Sequence, residues 1–210
     1  MTTYIVVAII AYLIGSINFS IIISKKMAGF DVREKGSVNA GTTNMLRAVG
    51  KKAAAITLLC DILKGVVSIL IAIIAGLIIK GIDKSLLVQL AAIAVVLGHT
   101  FPIFFQFKGG KGVATSLGIL LMVNWQIGLI CLVFAIALIA LTRMVSLGAV
   151  TAAILYPVLV LFIHTNYTIS EGSGYLIFSI ALAVIVAFNH RENIKRILNG
   201  TENRISFKKQ

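Results

Sequence analysis

Apolar segments of nearly membrane-spanning length recur along this chain, and they constrain its fold more than any other feature. Hydrophobic residues make up 59% of the 210 residues and charged residues 12%, against about 45–50% and about 25% in soluble domains. A water-soluble domain of this size could not bury so much apolar surface. We therefore expect an all-α polytopic membrane protein, because helices satisfy their own backbone hydrogen bonds within lipid.

A membrane-spanning helix needs about 20 mainly apolar residues, and seven segments of the chain are candidates. They are Tyr4–Ile23, Ala53–Ile79, Leu86–Phe105, Val113–Val123, Ile127–Leu141, Val145–Ile163 and Tyr175–Phe188. The fourth and fifth segments are short, and only Asn124, Trp125 and Gln126 separate them. These two segments could therefore also form one long, tilted helix.

The distribution of lysine and arginine distinguishes seven crossings from six, because cytoplasmic loops are enriched in these residues. Seven crossings place 16 of the 19 basic residues on one side and only Lys80 and Lys84 on the other. Six crossings leave nine on each side. The sequence thus predicts a bundle of seven transmembrane helices, some of them short, with the N-terminus outside and the C-terminus cytoplasmic. Residues 1–210 are expected to form one domain that ends in a short basic cytoplasmic tail, 190–210.

The first of three polar clusters, Gly36–Arg47, lies in the first predicted cytoplasmic loop. Gly36 and Gly41 permit left-handed turns, so that successive backbone N–H groups can point into one concavity and bind an anion. Arg47 can hold a phosphate through two parallel hydrogen bonds, and Asn44 shares its face on a helical turn. The alternative interpretation is a polar loop followed by a helix that Thr42 or Thr43 caps.

The second cluster runs from Gly98 to Gly112 and contains His99 and the sequence Lys108-Gly109-Gly110-Lys111. It lacks the spacing of a nucleotide-binding P-loop. Its glycines, its two lysines and the N-terminus of the following helix nevertheless predict an anion-binding loop. The alternative is a basic interfacial loop whose lysines extend to lipid headgroups.

The third cluster, Asn189–Asn193, comes where the last predicted helix reaches the cytoplasm, and His190 and Asn193 share a helical face. A basic stretch at this position is equally typical of a topology anchor.

Two weaker features accompany the clusters. Asp61 and Lys64 lie three residues apart within the second apolar segment, where charges are costly, and a structural pair is as plausible as a catalytic one. Arg143 and Ser146 flank the short connection between the fifth and sixth segments, and Ser146 could cap the sixth helix or bind substrate.

Together these features resemble the acyl-phosphate:glycerol-3-phosphate acyltransferases of bacterial membranes, the PlsY family. That family has a glycine- and asparagine-rich first motif ending in arginine, a second motif G-H-x-F-P…F-K-G-G-K-G-V-A-T, and an asparagine–histidine third motif before a basic tail. Gly98–Thr115 matches the second motif almost without a gap. Val38, Ala40 and Thr42 depart from the usual first motif, G-S-G-N-P-G-A-T-N.

The resemblance implies transfer of a fatty acyl group from acyl phosphate to the 1-hydroxyl of glycerol 3-phosphate. The products are lysophosphatidic acid and phosphate, in the first step of bacterial phospholipid synthesis. It further implies a multi-pass protein of the bacterial plasma membrane, with an active site that faces the cytoplasm and an acyl-phosphate-producing enzyme as supplier. No cofactor, metal or nucleic acid is expected.

Motif by motif, the resemblance assigns catalytic roles to Arg47, Lys111 and Ser146. The predicted substrate-binding residues are Ser37, Asn39, Gly41, Thr43, Asn44, His99, Lys108, Gly109, Gly110, His190 and Asn193.

The sequence lacks the His-x4-Asp pair of the acyl-CoA-dependent acyltransferases. Phe104, Ile169 and Lys195 stand five residues after the three histidines. Acyl phosphate already has a good leaving group, so we expect positioning and charge stabilisation to suffice for catalysis. Our hypothesis is direct attack by the glycerol hydroxyl, with a phosphoryl oxygen of the acyl phosphate taking the proton and His190 as the competing base.

A membrane carrier of an organophosphate or lipid is the alternative function. Carriers usually place their sites near the middle of the membrane, at broken helices in two related halves. The polar clusters of this chain are predicted to lie on one face instead, which favours an enzyme.

Overall fold

The computed structural model describes residues 1–163 and 173–205, and this part of the chain contains helices and no strand. The ten α-helices are α1 (Thr2–Ser16), α2 (Phe19–Ala28), α3 (Thr42–Ala48), α4 (Lys51–Ile78), α5 (Lys84–Thr100), α6 (Val113–Val123), α7 (Trp125–Thr142), α8 (Val145–Phe162), α9 (Ser173–Asn189) and α10 (Arg191–Leu198). Two short 3-10 helices, Val32–Glu34 and Ile103–Phe105, lie in the loops. The all-α prediction is confirmed for the described residues.

The described chain contains five stretches that are long and apolar enough to cross a membrane. They are Thr2–Ala28, Lys51–Ile78, Lys84–Phe105, Trp125–Thr142 and Val145–Phe162. A sixth results if α9 and α10, which meet at a 67° bend, count as one span. The predicted count of seven and the orientation of the termini stay predictions. His164, Ile169 and residues 206–210 of the predicted tail lie outside the described residues.

The first apolar segment, Tyr4–Ile23, is not one helix as predicted but is broken between α1 and α2. Asn18 begins α2, and its side chain accepts a hydrogen bond from the Ile21 amide at 3.2 Å. The ammonium group of Lys64 on α4 donates to the carbonyls of Gly15 and Ile17, at 3.0 and 3.1 Å. These carbonyls belong to the last turn of α1, where no intrahelical donor remains.

Asp61 completes the surroundings of this buried lysine, since its carboxylate lies 3.1 Å from the Lys64 ammonium. Both side chains are almost fully buried. The pair therefore joins α4 to the end of α1, which supports the structural interpretation of these two charges.

The predicted interruption between the fourth and fifth segments is present, because α6 ends at Val123 and α7 begins at Trp125. Asn124 caps α7 by accepting a hydrogen bond from the Ile127 amide at 3.1 Å. With 11 residues, α6 is about 16 Å long, roughly half the thickness of a bilayer's hydrocarbon core. Whether α6 counts as a crossing is therefore not decided by its length.

Helix α5 lies at the centre of the bundle, with one side fully buried between α1 and α4. Its fully buried apolar residues are Leu87, Val88, Ala91, Ala92, Val95 and Val96. Gly15 of α1 and Gly98 of α5 allow the two backbones to touch, because a Cβ at either position would overlap the other helix. This close packing fixes the end of α5, from which the second polar cluster begins.

Candidate active site

The second and third polar clusters meet at one end of the helical bundle. Lys111, in the loop before α6, donates a hydrogen bond from its ammonium group to the side-chain oxygen of Asn193 on α10. The side-chain amide of Asn189 donates to the Thr100 hydroxyl at 3.1 Å and to the Lys111 carbonyl at 3.4 Å. The fold thus joins the ends of α5 and α9 to the start of α6.

A carboxylate from the C-terminal tail, Glu202, lies beneath this group and accepts three side-chain hydrogen bonds. Ser146 and Asn193 donate to its Oε1 at 2.9 and 2.8 Å, and Arg196 donates to its Oε2 at 2.9 Å. Burial alone would raise the pKa of the Glu202 carboxyl, but these hydrogen bonds hold it below its usual range. Glu202 is therefore an ionised acceptor that positions Ser146 and Asn193.

Sequence analysis assigned no role to Glu202, although Glu192 and Glu202 are the only acids in the basic tail. The tail reaches the site by folding back beyond α10, and the Ile205 amide donates to the Arg143 carbonyl at 2.8 Å. This contact attaches the tail to the turn between α7 and α8, next to Ser146.

Lys111 experiences the charges of several neighbouring residues. Burial lowers the pKa of Lys111 to about 8, and the positive charges of Arg196 and Arg47 act in the same direction. The Glu202 carboxylate opposes them. The first cluster reaches this region through Ala40, whose carbonyl lies close to Gly110, the neighbour of Lys111. The Arg47 guanidinium is exposed and has no hydrogen-bond partner among the described residues, so it is available to an anion.

His190 lies buried between α9 and α10, with a defined tautomer. Its Nδ1 is 2.8 Å from the carbonyl of Val186, which can only accept a hydrogen bond. Nδ1 therefore carries the proton, and Nε2 has the free lone pair. In this state His190 can accept a hydrogen bond from a substrate hydroxyl.

The first cluster adopts a different backbone from the predicted one. Gly36 takes a left-handed conformation (φ 66°), but Gly41 is extended (φ −145°), and the second left-handed residue is Val38 (φ 57°). The prediction that Gly36 and Gly41 form paired left-handed turns is therefore wrong. Gly41 begins α3 without a side-chain cap, so capping by Thr42 or Thr43 is also wrong.

Asn44 holds the first cluster together from inside. It is 2% exposed, accepts a hydrogen bond from the Ser37 amide at 2.8 Å, and donates to the carbonyls of Val32 and Lys35 at 2.9 and 3.0 Å. Asn44 and Arg47 lie three residues apart on α3, as predicted, but Asn44 is buried and Arg47 is exposed, and their predicted contacts with substrate stay predictions. The structure gives Asn44 a role in shaping the loop.

The remaining predicted residues of the first cluster stay near the surface. Ser37 is exposed, and Asn39 and Thr43 are half-buried. In the described structure, no hydrogen bond joins their side chains to Lys111 or Ser146. Their predicted contacts with substrate remain predictions.

In the glycine loop of the second cluster, two backbone N–H groups are already bonded within the protein. Gly109 donates to the Thr100 carbonyl at 3.0 Å, and Gly110 donates to the His99 carbonyl at 3.1 Å. Both N–H groups are turned towards the end of α5 and are already paired, while the predicted contacts of Gly109 and Gly110 with substrate stay predictions. The N-terminus of α6 remains for an anion, since Gly112 begins this helix without a side-chain cap.

His99 lies behind this loop and does not face an open site. It is buried, with Nδ1 3.6 Å from the carboxylate of Asp61. A Cβ on Gly110 would overlap the His99 ring and the carbonyl of Ala40. The predicted binding role of His99 is therefore replaced by a positioning role, while Lys108 is exposed at the surface of the loop.

Arg33 connects the first and second clusters and was missed by the sequence analysis. Its guanidinium donates to the carbonyls of Phe105 and Lys108 at 2.9 and 3.1 Å. It also forms a 2.8 Å ion pair with Asp31, and its hydrogen bond holds the pKa of Asp31 below the usual range. The Asp-x-Arg spacing was the only sequence signal for this contact.

An apolar groove between α6, α7, α8 and α9 begins beside these polar residues. Its volume, including the open side, is about 560 Å³. Val113, Ala149 and Val186 line it, and they lie two, three and four residues along the chain from Lys111, Ser146 and His190 respectively. The arrangement places a cationic, hydrogen-bonding site at the end of an apolar slot.

Comparisons with known proteins agree over nearly the whole sequence. The model of the family described as glycerol-3-phosphate acyltransferase matches residues 5–200. A glycerol-3-phosphate acyltransferase of Clostridioides difficile (strain 630) is 46% identical over 208 residues, which are 99% of this chain and 98% of the relative. One from Thermoanaerobacter sp. (strain X514) is 44% identical, with 96% and 95% covered.

Solved structures agree with the sequence comparisons. The crystal structure of PlsY, an integral membrane glycerol 3-phosphate acyltransferase, matches in its glycerol 3-phosphate form with a TM-score of 0.84. The identity is 38%, covering 97% of this chain and 96% of that one. The lysophosphatidic acid form of PlsY matches with a TM-score of 0.81 and 36% identity, covering 97% and 95%.

Proposed function

Since this chain belongs to the glycerol-3-phosphate acyltransferase family, we propose that it transfers a fatty acyl group from acyl phosphate to the 1-hydroxyl of glycerol 3-phosphate. The bond formed is an ester at the glycerol oxygen, and the bond broken joins the acyl carbon to the phosphate oxygen. The products are lysophosphatidic acid and inorganic phosphate.

The observation that supports this reaction best is the junction of the polar site and the apolar groove. Lys111 precedes the groove residue Val113 by two positions, and Ser146 precedes Ala149 by three. A long-chain acyl phosphate needs this combination, because its phosphate is anionic and its chain is apolar. Glycerol 3-phosphate, also an anion, needs further positive charge, which Arg47 provides.

In the proposed reaction, the positively charged side chains contribute most of the stabilisation of the transition state. As the glycerol hydroxyl attacks the acyl carbon, negative charge develops on the carbonyl oxygen and on the departing phosphate. Lys111 and the N-terminus of α6 stabilise that charge, and Arg47 binds a substrate phosphate. The proton of the hydroxyl passes to a phosphoryl oxygen of the acyl phosphate, so the atoms balance without an acyl-enzyme.

The state of Ser146 supports direct transfer. Its hydroxyl donates to Glu202, whose lowered pKa makes this carboxylate a weak base. A carboxylate with three hydrogen-bond donors is suited to holding Ser146 in place and poorly suited to removing its proton. Ser146 is therefore assigned to orientation of the substrate, with its Oγ as a hydrogen-bond acceptor, rather than to nucleophilic attack.

We place the reaction in the bacterial plasma membrane, at its cytoplasmic face, where the positive-inside rule locates the basic loops. Glycerol 3-phosphate would enter from water, and the acyl chain would lie among the helices. The chemistry requires another enzyme that makes acyl phosphate, because this anhydride hydrolyses and must be supplied continuously.

The test is turnover by the purified protein. Glycerol 3-phosphate and palmitoyl phosphate should give equal amounts of phosphate and lysophosphatidic acid, and EDTA should not change the rate. Lys111→Ala should abolish turnover, whereas Lys80→Ala, an exposed lysine distant from the site in sequence, should leave it unchanged. Comparable rates with palmitoyl-CoA, or inhibition by EDTA, would contradict the proposed donor and mechanism.

A further inference from the structure

Tyr156 is the last residue of α8 that lines the apolar groove, and it pairs with a tyrosine of α9. Tyr156 of α8 lines the groove and is 2% exposed. Its hydroxyl is 3.2 Å from the hydroxyl of Tyr175 on α9, and the two rings meet edge to face with centroids 6.3 Å apart. Tyr175 in turn stacks on Phe178. Tyr156 is therefore held in place by α9 and cannot swing aside easily.

Small side chains form the α8 side of the groove between the site and Tyr156. Ala149, Ala152 and Ala153 of α8 line the groove, as does Ala183 of α9. Each alanine leaves space that a larger apolar residue would fill, and Tyr156 is the first large side chain of α8 that lines the groove.

A polar atom marks the other end of the groove. Ser116 of α6 lines the groove, is 8% exposed, and its Oγ has no hydrogen-bond partner among the described residues. An unpaired hydroxyl in an apolar environment is unfavourable by itself. Its position near the start of α6, beside the cationic site, suits a ligand that is polar at this end and apolar beyond it, as an acyl carbonyl and its chain are.

The depth of the groove can be taken from α8. Ser146 at the site and Tyr156, the last groove-lining residue of α8, are ten residues apart on this helix, which corresponds to about 15 Å. Half of a hydrocarbon core about 30 Å thick is the same length. The groove therefore has the depth that one acyl chain occupies in its leaflet.

We propose that Tyr156, held by Tyr175, sets the upper limit on the length of the acyl chain that the protein accepts. The inference rests on the proposed function, since it concerns the acyl donor of that reaction. Chains that end before Tyr156 lie fully within the groove. Longer chains must bend out of its open side, where they lose contact with the walls and bind less tightly in the transition state.

The experiment compares kcat/KM for lauroyl, palmitoyl, stearoyl and arachidoyl phosphate within each variant. Tyr156→Ala should raise the ratio of kcat/KM for arachidoyl phosphate to kcat/KM for palmitoyl phosphate by about tenfold or more. Enzymes with hydrophobic pockets usually distinguish substrates that differ by one methylene group by about this factor. Ala153→Leu, which fills the groove before its end, should shift the preference towards lauroyl phosphate. Tyr156→Phe keeps the ring and should leave the profile unchanged.

These ratios do not depend on how much of a variant folds, because numerator and denominator come from one preparation. If Tyr156→Ala and Ala153→Leu only lower all activities in proportion, Tyr156 is structural and the inference is wrong. A Tyr156→Phe profile like that of Tyr156→Ala would equally contradict it, since the ring would not be the barrier.

A binding measurement separates failure of this inference from failure of the proposed function. Lysophosphatidic acids with the same four chains should raise the melting temperature of the wild type up to a limiting length, and Tyr156→Ala should extend that length. Wild-type protein that shows this limit but no turnover would contradict the proposed reaction alone. Active wild type with no difference between the variants would contradict the role of Tyr156 alone.

Discussion

Ser146 and Glu202 are joined by a 2.9 Å hydrogen bond although 56 residues separate them in the sequence. This contact and the neighbouring hydrogen bond from Asn193 link the start of α8 and the start of α10 to one carboxylate. Asn193 also accepts a hydrogen bond from Lys111. Glu202 is therefore linked through Asn193 to Lys111, the principal cation of the proposed site.

Removing the Glu202 carboxylate should therefore reduce activity without touching the substrates directly. Hydrogen bonds to charged groups contribute about 1.5–3 kcal/mol each, and Glu202→Ala leaves three donors unpaired. We expect kcat/KM to fall by about tenfold or more, with a smaller loss for Glu202→Gln, which keeps one acceptor oxygen. Glu192→Gln is the matched control, because its ion pair with Lys195 is exposed and of little energetic value.

The pH dependence of activity should report the ionisation of Lys111. Its pKa of about 8 means that the ammonium form dominates below pH 8 and is lost as the pH rises through that value. We expect kcat/KM to decline in the same range, measured at constant ionic strength. In Lys111→Arg the decline should disappear, because the guanidinium stays charged. A wild-type profile that is flat from pH 7 to about 9.5 would show that the Lys111 charge is not required.

Arg47→Lys tests whether the geometry of the guanidinium matters. Arginine can present two parallel hydrogen bonds to a phosphate, whereas lysine offers a point charge. We expect kcat/KM to fall at least about tenfold, which corresponds to about 1.4 kcal/mol. Arg204→Lys, at an exposed position of the tail, should be neutral. Full activity of Arg47→Lys would limit the role of Arg47 to its charge.

His190 variants should distinguish binding from general-base catalysis. With Nδ1 donating to Val186, the free Nε2 can accept a hydrogen bond from glycerol 3-phosphate. His190→Ala should then raise the KM for this substrate about tenfold and leave kcat within a few-fold. His190→Gln, which keeps an acceptor but is no base, should recover much of the loss in KM. A collapse of kcat in both variants would identify His190 as the base.

Membrane topology can be measured by labelling single cysteines in a variant whose Cys60 and Cys131 are replaced by alanine. The seven-crossing prediction places Lys80→Cys outside and Glu34→Cys in the cytoplasm, and both positions are exposed. An impermeant maleimide should label position 80 in intact cells and position 34 only after permeabilisation. Labelling of both positions in intact cells would exclude the predicted orientation.

The interruption at Asn124 was predictable because a capping side chain divides an apolar run there. The break between α1 and α2 was not, since the carbonyls exposed at Ile17 are satisfied by Lys64, 47 residues away. A sequence pattern shows where a helix can end, but the long-range partner that stabilises the end becomes visible only in the fold.

The glycines of the candidate site illustrate a second limit. Composition correctly indicated a loop with unusual backbone freedom, yet Gly110 is needed mainly because His99 and Ala40 approach it closely. Composition also could not show that the Gly109 amide turns towards α5. The residue types that approach an anion were predictable, but the direction of each N–H group was not.

The return of the tail to Glu202 also has a consequence for biosynthesis. During translation, Arg47, Lys111 and Ser146 enter the membrane with their helices well before Glu202 has been made. An unfinished chain therefore has its cations but lacks the carboxylate that aligns Ser146 and Asn193. In a copy that stalls before residue 202, Ser146 and Asn193 therefore lack their shared acceptor, and the candidate site is completed only when the segment that carries Glu202 has been made.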